Sequence, residues 1–320
     1  MSSFYEYKRT LSRLSPIDRD ATLRALADDL NDRQRRWPRQ VDFSGVLQSC
    51  ALSIFPLLFV EAFGHVDEER LVPFLAGCKL LASSLMIADS LYDEELERDE
   101  RRALLLRWHG LQFEFERAFA AAFAPESPFW NALQSVLAEH LRGIIRESTY
   151  SAGRRRIGDA TLSECLEIAL AKSCVSRIAV IGLRLLGDDD SHAGGLLKSL
   201  DDYNVARQIW DDLQDWKADL QAQRATLVTR RLAVATGTRT AEQNVTALAR
   251  ELYYGGHADD LLGLARTYLT SALDVAGRDR RLPWHAIVED LERSVESLQR
   301  DLQTIVRRNL GRRSPLGVPA

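Results

Sequence analysis

Asn204-Val205-Ala206-Arg207-Gln208-Ile209-Trp210-Asp211-Asp212-Leu213-Gln214-Asp215-Trp216-Lys217-Ala218-Asp219 is the stretch whose reading decides the fold. Ile209, Trp210, Leu213 and Trp216 recur at helical spacing, so the segment reads as a helix. Asn204, Gln208, Asp211, Asp215 and Asp219 make a polar stripe along it, with three aspartates at i, i+4 and i+8. Like charges stacked one turn apart destabilise a bare helix. Such a row is tolerated where solvent screens it or a divalent cation bridges it. Oxygen-only ligands favour a hard ion, Mg²⁺ over Zn²⁺. Mg²⁺ takes one or two carboxylates together with substrate phosphate oxygens.

A second acidic group, Asp89-Ser90-Leu91-Tyr92-Asp93-Glu94, follows the apolar run from Leu80 to Ala88. Asp89 and Asp93 are i, i+4 and share one helix face. With Leu85, Met86 and Tyr92 as helical neighbours, Asp89 reads as facing an apolar interior, where an unpaired charge is expensive. The plain alternative for each group is a solvated acidic face. Two such groups on partly apolar helices favour two carboxylate walls around a metal–phosphate site, as helix bundles build metal sites. Lys172 has Ile168, Ala169, Val175 and Ser176 as helical neighbours. It either snorkels to solvent or aims its ammonium at a phosphate.

Outside these segments the periodicity is helical almost everywhere. Ser15-Pro16 reads as an N-cap and first helical position, opening a helix towards Trp37. Further helices are predicted over 44–64, 69–98, 101–123, 128–149, 161–186 and 193–221, and shorter ones over 225–236, 240–254, 258–276 and 285–309. No alternating strand or hairpin signal is present. Breaks such as Ser151-Ala152-Gly153 are too short for domain linkers. One all-α domain over 1–310 is predicted, with a flexible tail over 311–320.

Composition narrows the function classes. The chain has 320 residues, 46% hydrophobic and 28% charged, the balance of a soluble globular protein. Lys+Arg 42 against Asp+Glu 46 gives a net charge of −4, so no basic excess points to nucleic acid. Cys50, Cys78, Cys165 and Cys174 form no CxxC pair and sit among apolar residues, as core fillers do. The start MSSFYEYKRT carries no signal-peptide core. The run Ile54 to Val60 is too short to cross a bilayer. A reduced, soluble, cytoplasmic protein without a transmembrane segment is the expectation.

At its motifs the chain resembles the class I isoprenoid synthases, the all-α bundles of long helices around a central cavity that include trans-polyprenyl diphosphate synthases and terpene cyclases. Asp211-Asp212-Leu213-Gln214-Asp215 is a complete DDxxD preceded by Gln208, and Asp219 extends it. Asp89-Ser90-Leu91-Tyr92-Asp93 resembles the first DDxxD, with Ser90 in place of its second Asp. Lys172-Ser173 resembles the family's Lys-Thr, and Pro56-Leu57-Leu58 with Glu61-Ala62-Phe63-Gly64 resembles the helix before the first motif. The likeness spans about 45–235 of the chain.

The resemblance implies Mg²⁺ as cofactor, held by Asp89, Asp93, Asp211, Asp212, Asp215 and Asp219. Asp89, Asp93, Asp211 and Asp215 would be catalytic. Lys172, Gln208, Arg224 and Arg98 would bind the diphosphate of a linear prenyl substrate. Homodimeric assembly is left open. The chain also departs from the family. Elongating prenyl synthases carry GGKRxRP upstream, to hold a second, five-carbon substrate. This chain reads Cys50-Ala51-Leu52-Ser53-Ile54-Phe55-Pro56, without a basic residue. The Arg-Arg-Gly after the first motif is degraded around Arg98, and Arg224 lies one position from the family's later lysine. The leading expectation is therefore a terpene synthase that ionises one prenyl diphosphate, then cyclises or deprotonates the cation and releases pyrophosphate. The alternatives are a prenyl diphosphate synthase or head-to-head coupling enzyme, and a degenerate partner or regulator of such an enzyme.

Overall fold

Side-chain caps set two helix starts as the sequence dictates. Thr161 opens one helix by accepting from Glu164 N at 3.0 Å. Thr226 and Thr229 form a reciprocal box at another, Thr229 N to Thr226 Oγ1 at 3.2 Å and Thr226 N to Thr229 Oγ1 at 2.9 Å. The computed structural model describes residues 19–38, 51–93, 96–237, 245–277 and 282–311. The chain is all-α: among the described residues there are helices and 3₁₀ turns but no strand.

The helices are α1 Arg19–Arg35, α2 Glu68–Asp93, α3 Arg98–Ala122, α4 Pro128–Ser151, α5 Leu162–Ser173, α6 Arg177–Leu186, α7 Ala193–Gln221, α8 Leu227–Thr236, α9 Val245–Tyr254, α10 His257–Val275 and α11 Pro283–Gly311. Ser15-Pro16, residues 39–50 including Cys50, Glu94, 240–244, Arg281 and the tail from 312 lie outside the described residues.

Two predicted helices are corrected. The span 44–64 is, from residue 51 on, two 3₁₀ segments, Ala51–Leu58 and Val60–Phe63. Pro56 lies inside the first; it has no N–H to donate and its ring clashes with an α-helical turn. The span 161–186 is broken by a 3₁₀ turn at Cys174–Ser176. The terminal carbonyls of α5 are taken by side chains from elsewhere: His140 Nδ1 lies 2.9 Å from Lys172 O, and Asn204 Nδ2 donates to Ser173 O at 3.5 Å.

Residues 1–310, read above as one domain, group into two compact units. The first comprises Met1–Val136, Val175–Leu197 and Arg280–Trp284. Within it α2 packs on α3, α1, α6 and the Ala51–Leu58 segment. Its core is aromatic. Phe74 meets Phe119, Phe123 and Phe129, and the Phe123 and Phe129 rings stack at 3.9 Å. Each such buried ring contributes about 1.5–3 kcal/mol. Arg33 on α1 is fastened to buried Glu114 on α3 at 3.2 Å and to Asp29, while Trp37 Nε1 donates to Glu114 at 3.0 Å.

By length and composition alone α2 could cross a bilayer, with a mean hydropathy of 1.8 over 18 residues. Sixty-one percent of that window is buried, and its packing partners are those of a core helix.

The second unit comprises Leu137–Cys174, Lys198–Asp279 and His285–Ala320. In it α8 packs on α5, α9, α10 and the 3₁₀ turn Ile157–Asp159. α7 is joined to α10 by Ser271 Oγ donating to Asp202 at 2.7 Å and Ser199 Oγ donating to Ala272 O at 2.7 Å. Cys78, Cys165 and Cys174 are buried free thiols, in keeping with their reading as core fillers.

Candidate active site

α7 carries the second acidic motif, and the structure sorts its aspartates differently from the expected stripe. Seven residues bring an α-helix back to within about 20° of the same direction. Asp212 and Asp219 therefore share the inward face with buried Trp216. Asp211 is half-buried and Asp215 exposed. A row drawn at i, i+4, i+8 drifts around the helix and hides this division.

Asp212 is 3% exposed. Its Oδ1 accepts from Gln208 Nε2 at 2.6 Å, and its Oδ2 accepts from the backbone N–H of Leu227, the first residue of α8, at 3.3 Å. Gln208, expected to reach a diphosphate, is thus joined to Asp212. Asp219 is also buried, with Arg224 Nη1 at 3.5 Å. Arg224 follows a turn in which Gln223 takes a left-handed backbone (φ 53°), and its N–H donates to Asp219 O at 2.8 Å. Asp211 pairs with Arg207 on its own helix at 2.9 Å.

The carboxylates crowd one another. Burial, joined by the charges of Asp219 and Asp211, pushes Asp212 up to about 7, against the bonds from Gln208 and Leu227. Burial pushes Asp219 up to about 6, with Asp215 and Glu147 adding and Arg224 opposing. Asp211 is raised by burial and by Asp215, against Arg207. Such a group gains from a nearby cation, and its all-oxygen donors suit a hard divalent ion. Among the described residues no three His, Cys, Asp or Glu side chains converge as a metal cage. A site completed by substrate phosphate oxygens does not require one.

Lys172 closes α5. Its Nζ donates to both carboxylate oxygens of Glu147 on α4, at 2.7 and 2.9 Å. Glu147 was not singled out from the sequence. Its signal was the helical stripe His140, Gly143, Glu147. A Cβ at Gly143 would lie 2.7 Å from Ala171 Cβ and 3.1 Å from Lys172 N, so glycine permits the close crossing of α4 and α5.

In the first unit, Asp89 is exposed near the end of α2, which corrects its reading as facing an apolar interior. Met86 and Tyr92 beside it are exposed too, Tyr92 at 70%. Asp93 is the last residue of α2, and Arg98 opens α3 in an exposed position. Phe59 and Phe63 are fully buried, and Phe59 packs on Phe55 and Trp284 as core.

No protein-family model matches the chain, and no curated protein matches it by sequence. Solved structures do. A polyprenyl synthase from Caulobacter crescentus CB15, complexed with calcium and isoprenyl diphosphate, is 20% identical, with 89% of this chain and 95% of that one covered and a TM-score of 0.66. A decaprenyl diphosphate synthase from Rhodobacter capsulatus is 14% identical, with 90% and 98% covered and a TM-score of 0.71. A geranylgeranyl pyrophosphate synthetase from Pyrococcus horikoshii Ot3 is 17% identical, with 92% and 99% covered and a TM-score of 0.65. The chain therefore has the all-α fold of the class I isoprenoid synthases.

Proposed function

We propose that the protein is a divalent-metal-dependent enzyme that ionises an allylic prenyl diphosphate. The observation that carries this reading is the acidic motif of α7, with raised carboxyl groups crowded on one helix, in a chain of this fold. Asp211 and Asp215 are proposed metal ligands on the second motif, and Asp89 and Asp93 are proposed likewise on the first. A bound Mg²⁺ would supply positive charge where the leaving diphosphate gains negative charge. Lys172 would neutralise the departing diphosphate, and Arg224 and Arg98 would add charge. Asp212 and Gln208 keep the motif in place from behind.

The solved structures named above are prenyl diphosphate synthases, which supports transfer of the allylic group to a second prenyl unit over cyclisation. One observation favours the cyclase as second reading. The segment where elongating enzymes carry basic residues, Cys50 to Pro56, has none here, and Phe55 within it is buried as core. We also read the protein as soluble and cytoplasmic, supported by its buried free thiols and the buried α2.

The test is pyrophosphate release from geranyl, farnesyl and geranylgeranyl diphosphate with Mg²⁺, with and without isopentenyl diphosphate. A longer prenyl diphosphate formed only with isopentenyl diphosphate supports transfer. A hydrocarbon or alcohol formed without it supports the cyclase. No release from any substrate overturns the proposal.

A further inference from the structure

One stripe of α4 holds both ends of Lys172. His140 meets its carbonyl oxygen at 2.9 Å, Gly143 lets the two backbones approach, and Glu147 takes its ammonium at 2.7 and 2.9 Å. The three are spaced i, i+3, i+7 and so share one face. The pair is partly buried, with side chains 31% and 17% exposed, so solvent screens it incompletely.

We propose that Glu147 is the counter-carboxylate that sets how strongly Lys172 holds a diphosphate, a positioning residue that competes with the ligand for the ammonium. The proposal rests on the proposed function. An ammonium has three donors, and Glu147 occupies two. A phosphoryl oxygen that engages Lys172 either displaces the carboxylate or joins an ammonium already neutralised by it. Both routes bring two anions together, and the cost is subtracted from diphosphate binding. Glu147→Gln keeps the shape and one acceptor but removes the charge. The ammonium stays in place and becomes the stronger anion partner.

The experiment is calorimetric titration of the full chain with inorganic pyrophosphate in Mg²⁺, for wild type, Glu147→Gln, Glu147→Asp, Lys172→Met and the Glu147→Gln/Lys172→Met pair. Circular dichroism melts establish that each variant is folded. Glu147→Gln is expected to tighten pyrophosphate about tenfold, the scale of one incompletely screened charge contact. Glu147→Asp keeps the charge and should stay near wild type. Lys172→Met should weaken binding at least tenfold, and the double variant should lie much closer to Lys172→Met than to Glu147→Gln, because Glu147 acts on the ligand chiefly through the lysine.

A Glu147→Gln affinity equal to or weaker than wild type, with Lys172→Met weakened, overturns the proposal and leaves the proposed function standing. A Lys172→Met affinity equal to wild type removes Lys172 from the site and overturns the proposal as well. No Mg²⁺-dependent pyrophosphate binding by wild type counts against the proposed function itself, and the role of Glu147 falls with it.

Discussion

Asp212 Oδ2 accepts a hydrogen bond from the backbone N–H of Leu227 at 3.3 Å, so the second aspartate of the acidic motif holds the N-terminus of α8. Negative charge at a helix N-terminus is favourable, and the orphan N–H gains an acceptor. Asp212→Asn puts an amide where Gln208 Nε2 and Leu227 N–H both need acceptors. We expect a loss of about 1–3 kcal/mol in denaturant unfolding. Asp215→Asn, at an exposed position, should stay within about 0.5 kcal/mol. Equal midpoints for the two variants would contradict the sorting of the motif.

Stability should also fall as pH rises. Asp212 is raised to about 7 and Asp219 to about 6, from 3.8. Between those values the folded state binds more protons than the unfolded one. The stabilising contribution is complete below about pH 4 and is lost as pH climbs through the folded values. Each group contributes a slope of at most about 1.4 kcal/mol per pH unit. Guanidinium unfolding across this range in chelator should show the decline, and Asp212→Asn should flatten it.

Gly143→Ala should drive α4 and α5 apart. The added carbon meets Ala171 Cβ at 2.7 Å and backbone at 3.1 Å, neither of which can swing away. Overpacking of this kind costs about 1–3 kcal/mol. A melting temperature equal to wild type would show that the crossing is looser than described.

Glu114→Ala removes the buried carboxylate that Arg33 and Trp37 share. Arg33 keeps its pair with Asp29, so the cost is that of the buried bonds left unmade, about 1–3 kcal/mol. α1 should loosen first, and faster hydrogen exchange in residues 19–35 would report it.

Asp89→Asn and Asp211→Asn should each abolish Mg²⁺-dependent pyrophosphate release while leaving far-ultraviolet dichroism unchanged. The Arg207–Asp211 pair is only half shielded from solvent and contributes at most about 1 kcal/mol. Either variant turning over at the wild-type rate would remove that residue from the proposed ligands.

Helix order was legible in the residues, because a 3.6-residue apolar period acts locally. The break at Ser151-Ala152-Gly153 carried it further. The Ala51–Leu58 turn was misread as α-helix although Pro56 was in plain view, because its apolar run is compatible with either helix. The likeness to isoprenoid synthases came from three short motifs in the right order, which chain spacing alone can carry.

The sequence by itself determined an all-α chain, the two acidic motifs and the lysine between them. Tertiary structure decided what each of those groups touches. The break at Cys174 depends on His140 and Asn204, which bond α5's last carbonyls from distant parts of the chain. Asp212 turned inward because α8 brings an unpaired N–H to it. Glu147 met Lys172 because a glycine one turn earlier let two helices close up. Periodicity reports which face of a helix is apolar. It carries no record of which partner arrives there, and a polar side chain takes its role from the donor or charge that a remote segment delivers.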